Sequence, residues 1–323
     1  MGRRPTRRRG GRPGSGQACG DRVTGTRVVR HPTQGLERRG PELHAHAQRA
    51  LALVGPGRAG TTMATALLAR EWTAVSVAGR APDSPGVLAA ATRFEAAPRS
   101  LADAGRGAAL VLVATPDAAI AEVAHALAPG LEPGALVLHL SGACTLHELD
   151  KLAIARPDVR LGSLHPLQSL PSAELGVARL PGSWCAVDGP DDVERLAVSL
   201  GMRPFRVDAA RRATYHAAAT VASNHLVALL GQAARLAADA GIPPEALLPL
   251  VRATVDNVDA LGPVDALTGP VARGDVDTVL RHLDAVAPSE RAAYRALASE
   301  ALKLTARRDT ELEQILDDPE GRR

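Results

Sequence analysis

The sequence predicts an α/β fold: a doubly wound, mostly parallel sheet followed by a smaller all-helical C-terminal domain. Three observations predict it. Between residues 50 and 208, short and nearly continuous apolar runs alternate with Ala/Leu-rich helical stretches, the pattern of βαβ units whose strands are covered on both faces. After Asp208 the strand signals stop and long helical patterns take over. A glycine-rich turn directly follows the first apolar run and opens a helix.

Taken in order, residues 51–54 read as a strand, 55–60 as the glycine turn, and 58–70 as a helix. Strands follow at 74–78, 109–114, 136–140, 160–164, 184–187 and 203–207. Helical patterns at 117–127, 145–154 and 191–200 separate several of them, and right-handed crossovers join such units. Residues 211–240 form one long helical pattern ended by Gly241 and the Pro243-Pro244 pair. Further helices are expected at 245–259, 275–285 and 288–305, and the polar end at 309–323 is expected to fray. The domain plan is a disordered Arg/Gly-rich tail at 1–47, a nucleotide-binding domain at 48–208, a helical substrate and dimerisation domain at 209–308, and a polar tail at 309–323.

Composition narrows the classes. The chain has 323 residues, 38 Lys+Arg against 35 Asp+Glu, and 46% apolar residues. Its formal charge of +3 is unevenly spread: residues 1–40 hold 11 Arg and two acids, a balance of +9, which leaves −6 for the rest. The basic character belongs to the tail. Six aromatic residues in the whole chain argue against stacking platforms for single-stranded nucleic acid. Three dispersed cysteines, Cys19, Cys144 and Cys185, suit a reducing compartment and offer no zinc framework. No apolar run approaches the ~20 residues of a membrane span. A cytoplasmic protein binding neither membrane nor nucleic acid is the expectation.

The turn reads Gly55-Pro56-Gly57-Arg58-Ala59-Gly60, a GxGxxG in the strand–turn–helix setting that gives this motif its meaning. Gly55 permits the tight turn, Gly57 lets the backbone approach a pyrophosphate, and Gly60 lets helix and strand pack closely. The helix N-terminus favours the anion, and Thr61 can add a hydroxyl. A Rossmann-type, dinucleotide-binding domain is expected. At the end of the second strand an NAD-preferring site carries an acid; here stand Ala78-Gly79-Arg80. A guanidinium pairs with a 2′-phosphate where a carboxylate would repel it, so Arg80, with Arg58 nearby, favours NADP(H). Thr115, after the third strand, either faces the cofactor or caps the next helix. Ser141 and Gly142, after the fourth, either contact nicotinamide or substrate or serve an ordinary turn.

Hydride transfer to a carbonyl or imine needs a proton donor and a holder for negative groups. The segment from Gly162 to Ser169 places His165 at a strand exit before Pro166, with Gln168 beyond. His216, Thr220 and Asn224 recur every four residues on one face of the first long C-terminal helix, as a site or as a helix–helix seam. In the segment 267–275, Arg273 is equally readable as a carboxylate clamp or a surface arginine, and Asp275 as the cap of the next helix. His139, His125, His147 and His282 lack a comparable setting and read as structural. Catalytic candidates are therefore His165, His216 and Asn224; substrate candidates are Ser141, Gly142, Gln168, Thr220 and Arg273.

The series GPGRAG, AGR, VATPD, LSGA, LHPLQS, TYHAAATVASNHLVAL and ALTGPVARGD resembles a family of predicted oxidoreductases. These pair a Rossmann-like domain with a C-terminal domain of unknown function, type 2520. The resemblance spans roughly residues 48–305. The family is similar in plan to ketopantoate reductase, pyrroline-carboxylate reductase and the β-hydroxyacid dehydrogenases, whose substrate lies between a Rossmann and a helical domain, often in dimers. The resemblance implies an NADP-dependent oxidoreductase reducing a small carbonyl or imine and does not identify the substrate. The glycine loop, Arg80 and the polar segments point to a small acidic metabolite, such as the 2-keto acid ketopantoate. Analogy of fold points to a homodimer joined through the helical domain. The resemblance departs at one point. Ketopantoate reductases and β-hydroxyacid dehydrogenases carry a catalytic lysine shortly before an asparagine on the first helix of the second domain. This chain has two lysines, Lys151 and Lys303, and Thr220 stands four residues before Asn224. A histidine such as His216 or His165, or water, must then give the proton. An NADP(H)-binding sensor without turnover is the alternative.

Overall fold

The computed structural model describes residues 49–305 and 309–317; the tail expected at 1–47 lies outside them. The chain runs through β1 (Ala50–Val54), α1 (Arg58–Leu68), β2 (Thr73–Ala78), α2 (Pro85–Phe94), β3 (Ala97–Pro98), α3 (Leu101–Ala104), β4 (Leu110–Val113), α4 (Ile120–Ala126), β5 (Leu136–His139) and α5 (Asp150–Ala155). It continues with β6 (Arg160–Pro166), α6 (Ala173–Arg179), β7 (Trp184–Asp188), α7 (Asp191–Ser199) and β8 (Arg203–Arg206). These strands form one eight-stranded sheet in the order β3-β2-β1-β4-β5-β6-β7-β8. β1 to β6 pair in parallel, β7 runs antiparallel to β6, and β8 is parallel to β7. The doubly wound sheet is the expected one. The strand order reverses between β1 and β4, which opens a crevice at their carboxyl ends.

Period-two alternation explains the two cores. Leu51, Leu53, Leu110, Leu112, Leu136 and Leu138 face one side with residues of α1, α2 and α7. Ala52, Val54, Val111, Val113 and Val137 face the other with Ala104 of α3, Ile120 of α4 and Leu152 of α5. Each buried leucine contributes roughly 1.5–3 kcal/mol, so the sheet is a rigid base for its own loops. Helix α2, the short β3 and helix α6 were not foreseen: Gly, Pro and Ser interrupt those stretches, and β3 is too short to leave a pattern.

Beyond β8 the chain is helical: α8 (Arg212–Thr220), a π-helical turn over Val221–His225, α9 (Leu226–Asp239), α10 (Leu248–Ala266), α11 (Pro270–Arg273), α12 (Val276–Ala285), α13 (Pro288–Leu304) and α14 (Thr310–Asp317). The expected helix over 211–240 thus runs from Arg212 to Asp239 and widens at that π-helical turn. α10 breaks at Gly262 (φ 79°), just before Pro263. The Asp275 side chain accepts from the Thr278 N–H and caps α12, as its position suggested. The expected fraying at 309–323 is corrected for 310–317: α14 buries Leu312 and Leu316 against Val271, Val279 and Leu302, an apolar i, i+4 pair that a mainly polar segment hides. Among the described residues no helix is long and apolar enough to cross a membrane.

Candidate active site

The site is built at the carboxyl ends of the parallel strands. Its first part is the glycine turn after β1. Gly55 has φ 88°, and a Cβ there would lie 2.7 Å from the Ala114 carbonyl oxygen. A Cβ on Gly60 would lie 2.6 Å from the Gly55 oxygen. These two glycines let turn, helix and the end of β4 touch. A Cβ on Gly57, by contrast, meets nothing within 4 Å. Gly57 is the N-cap of α1, whose first turn holds no acid, so the unpaired N–H groups and the positive end of the helix dipole face open space. Arg58 and Arg80 are exposed, and Gly79 packs on Val87 and near Pro56. The Thr61 carbonyl accepts from the Thr65 hydroxyl.

Thr115 follows β4. Its hydroxyl is buried without a hydrogen-bond partner, and the short 3-10 turn after it has no side-chain cap, so Thr115 is not the helix cap. Ser141 follows β5. Its hydroxyl oxygen accepts the N–H groups of Ala143 and Cys144 at 3.1 and 3.0 Å, which fixes the turn. The carbonyls of Ser141 and Gly142 accept from Arg212 Nη2 and Nε at 3.0 and 3.2 Å. Arg212 begins α8 and is 1% exposed, so one buried guanidinium ties the helical region to the sheet.

Gly142 lies against two imidazoles. A Cβ there would stand 2.5 Å from His216 Cδ2 and 2.8 Å from His165 Cε1 and Nε2. The rings of His165 and His216 are 5.8 Å apart, edge to face. His165 Nδ1 is hydrogen-bonded to the Tyr215 hydroxyl at 2.7 Å. Burial, then the charges of His216 and Arg212, push His165 down to about 4. Burial raises Tyr215 to about 12. Burial also holds Arg212 below the usual guanidinium range, without removing its charge at neutral pH.

Beneath this cluster lies His139, expected to be structural. It is fully buried at the end of β5, register-paired with Ser163 of β6. Neither ring nitrogen has a partner of good geometry, and the Ser163 hydroxyl and Arg212 Nη1 are likewise unpartnered. Burial and the charge of Arg212 lower His139 to about 4, against a weaker opposing effect from the Thr145 backbone. Among the described residues no group of three or more His, Cys, Asp or Glu is placed to hold a metal ion.

The structure therefore brings Ser141, Gly142, His165 and His216 together, and adds Arg212, Tyr215 and His139. Arg212, Tyr215 and His216 are spaced i, i+3 and i+4 on α8 and share a face, which is the signal that could have found them. The remaining candidates make other contacts. Gln168 is exposed after β6 and accepts from the Ser169 N–H. Thr220 ends α8, and Asn224 lies in the π-helical turn, exposed, accepting from the Ser223 hydroxyl at 2.9 Å. Arg273 makes a 3.9 Å ion pair with Asp275. His147 pairs with Asp150 and His282 with the Tyr294 hydroxyl.

A nucleotide-type sheet whose glycine turn and histidine cluster share one rim defines a Rossmann-like α/β protein with a helical appendage. Two family models match: a Rossmann-like domain over residues 39–166, and the domain of unknown function DUF2520 over 185–301. The chain belongs to the family that joins these two domains. It is similar to a crystal structure from Bacteroides fragilis, provisionally described as an NADP oxidoreductase, at 24% identity and TM-score 0.69, over 80% of this chain and 99% of that one. A protein from Thermotoga maritima is 24% identical at TM-score 0.55, covering 82% and 98%. A reductive aminase from Aspergillus terreus, in complex with NADPH and ethyl-5-oxohexanoate, is 17% identical at TM-score 0.50, covering 83% and 91%. At these identities the likeness is one of fold. No curated protein matches the sequence.

Proposed function

We propose that this chain is an NADP(H)-dependent oxidoreductase that reduces a small carbonyl or imine, with a 2-keto acid such as ketopantoate as the type of substrate. The observation that carries the reading is positional: an open glycine turn after β1 and a histidine pair on β6 and α8 lie at the carboxyl-end rim of the same parallel strands, where such sheets bind their ligands.

The chain's own residues fit the dinucleotide. Gly55 to Gly60 would take the pyrophosphate on the α1 N-terminus, with Thr61 beside them. Gly79, Arg80 and Arg58 would take the adenine ribose and its 2′-phosphate, and the buried, unpartnered Thr115 hydroxyl would add a polar contact at the end of β4. When bound, the nicotinamide supplies a hydride. His165 or His216 delivers the proton, which this cluster can do without the lysine that related enzymes use. Gly142 leaves room for both rings, and Arg212 fixes the backbone on which they rest. Ser141 and Gly142 line the substrate's place, and Thr220 and Asn224 extend it along α8 and the π-helical turn; Gln168 and Arg273 are more distant holders of a negative group.

The helical region is proposed to pair with a second copy, because α10 has no buried residue and α9 and α10 expose Val227, Leu250, Val255 and Val264. Titration with NADPH and with NADH, followed by NADPH oxidation against 2-keto acids, 3-keto acids and cyclic imines, tests the reading. Binding of NADPH at least tenfold tighter than NADH, with turnover of one class, is expected. Binding without turnover of any would favour the sensor, and no binding below millimolar would remove both.

A further inference from the structure

We infer that Tyr215 and His165 work as one proton-delivering unit, in which the phenol feeds Nδ1 while Nε2 gives its proton to the substrate's carbonyl oxygen or imine nitrogen. The inference rests on the reductase reading above and adds Tyr215 to it as a positioning residue.

Geometry carries it. The Tyr215 hydroxyl is 2.7 Å from His165 Nδ1, and among the described residues the phenol has no other hydrogen-bond partner. Its ring is held edge-on between His165 and Phe205, each 5.7 Å away between centroids, and Phe205 in turn abuts Trp184. A phenol donates well and accepts poorly, whereas a neutral imidazole has one good acceptor nitrogen. The Tyr215 O–H therefore donates to Nδ1, and this fixes the proton of His165 on Nε2. That nitrogen is the one turned to Gly142, 2.8 Å from where a Cβ would stand. With no Cβ on Gly142, that N–H edge is not covered by a side chain from this turn.

The groups around the pair favour a neutral donor over an imidazolium. Arg212 and His216 face His165 from α8, His139 from β5 and Asp117 from the turn after β4. Cys185 of β7 and Arg212 face Tyr215, and Asp188 of β7 faces Arg212 and His139. With His165 near 4 and Tyr215 near 12, both are neutral around pH 7.

In the step, the substrate carbon takes the hydride supplied by the dinucleotide. The Nε2–H bond breaks as the new O–H or N–H bond forms. Nδ1 gains the phenolic proton as the Tyr215 O–H bond breaks, so the negative charge moves to the phenolate. Burial disfavours that phenolate, and the nearby Arg212 charge offsets part of the cost, so the phenolate is transient. The pair resets when the Nδ1 proton returns to the phenolate and water supplies one to Nε2.

The test uses the whole chain bound to NADPH. 15N NMR of the imidazoles between pH 5.5 and 8.0 should find His165 neutral with its proton on Nε2, and Tyr215→Phe should release that preference. An imidazolium in that range, or a proton fixed on Nδ1, overturns the proposal. In NADPH oxidation with the compounds above, Tyr215→Phe should lower kcat about 10²-fold with NADPH affinity within threefold. His165→Gln should cost at least as much, and the double variant no more than His165→Gln alone, as for groups acting as a unit. A Tyr215→Phe chain with an unchanged kcat removes the dyad alone. An unsubstituted chain that oxidises NADPH with none of the compounds removes the reductase reading and the dyad with it.

Discussion

Arg212 and Gly142 are joined by a hydrogen bond from Nε to the glycine carbonyl at 3.2 Å, seventy residues apart in sequence and at the seam between sheet and helices. The same glycine's missing Cβ is what lets His165 and His216 close on the turn. One backbone position is thus gripped on its carbonyl side by a buried cation and covered on its Cα side by two imidazoles.

Gly142→Ala should separate these roles. Its Cβ would have to displace both rings by several tenths of an ångström or more, so turnover should fall 10- to 100-fold while stability drops by only about 1–3 kcal/mol. Arg212→Met should do the opposite first. It strands two buried carbonyls, at roughly 1–3 kcal/mol each, and urea unfolding should register a loss of about 2–6 kcal/mol before any assay is run. Arg212→Lys should recover part of it, since an ammonium cannot span both carbonyls as the planar guanidinium does.

The glycine turn makes a sharper separation. Gly57→Ala meets no atom within 4 Å, and its stability should change by no more than about 1 kcal/mol. If the turn holds a pyrophosphate, the added methyl group should still weaken NADPH binding at least tenfold, read by fluorescence titration. Gly60→Ala would place Cβ 2.6 Å from the Gly55 oxygen and 2.7 Å from Ala114 Cβ. It should destabilise the chain by roughly 1–3 kcal/mol whatever binds there. Equal cofactor affinity in Gly57→Ala and the unsubstituted chain would take the pyrophosphate away from this turn.

His139 gives stability a pH dependence of known sign. Burial first, and Arg212 second, hold it near 4 in the folded chain, against about 6.5 when unfolded. Between those values the unfolded chain binds the extra proton. The contribution is full above about pH 6.5 and is lost as the pH falls toward 4, by roughly 2 kcal/mol at pH 5. His165, held down in the same way, adds a loss of the same sign. His139→Leu, which suits the apolar face of β5, should shrink the difference in urea-unfolding free energy between pH 7 and pH 5 by about 2 kcal/mol. An unchanged difference would mean that the ring is protonated when folded.

These groups mark where sequence reading reached and where it stopped. The parallel sheet, the glycine turn and the helical second half were legible because each leaves a local signature: apolar runs of strand length, glycines at fixed spacing, a stop at Gly241 before two prolines. His165 and His216 were legible as polar residues in unusual settings. Arg212 was not, because in sequence it is one of a pair of arginines at a helix start, and only the fold aims it at a turn seventy residues away. The surroundings of His139, read as structural, were hidden for a related reason: it ends an ordinary apolar strand, and its neighbours Ser163 and Arg212 come from other elements. Tyr215 sat inside a marked segment, yet its partner was on another strand. The spacing of Arg212, Tyr215 and His216 marks one face of α8, but nothing local says which turn or strand lies across the seam from it.

Exposed apolar side chains gather on α9 and α10. Val227 is 71% exposed, Leu250 65% and Val264 58%, and among the described residues none covers the 19-residue α10 enough to bury any of its side chains. Isolated helices of about that length are marginal in water, and apolar side chains exposed in such number are what an interaction site requires. A second copy of the chain offers the same face in a two-fold arrangement. Light scattering across a concentration series should then give twice the chain mass, and Leu250→Asp with Val264→Asp should return it to the single-chain mass with a loss of helical signal, since α10 would lose its cover. A single-chain mass at every concentration in the unsubstituted protein would overturn the pairing, and α10 would have to be stabilised by a different partner.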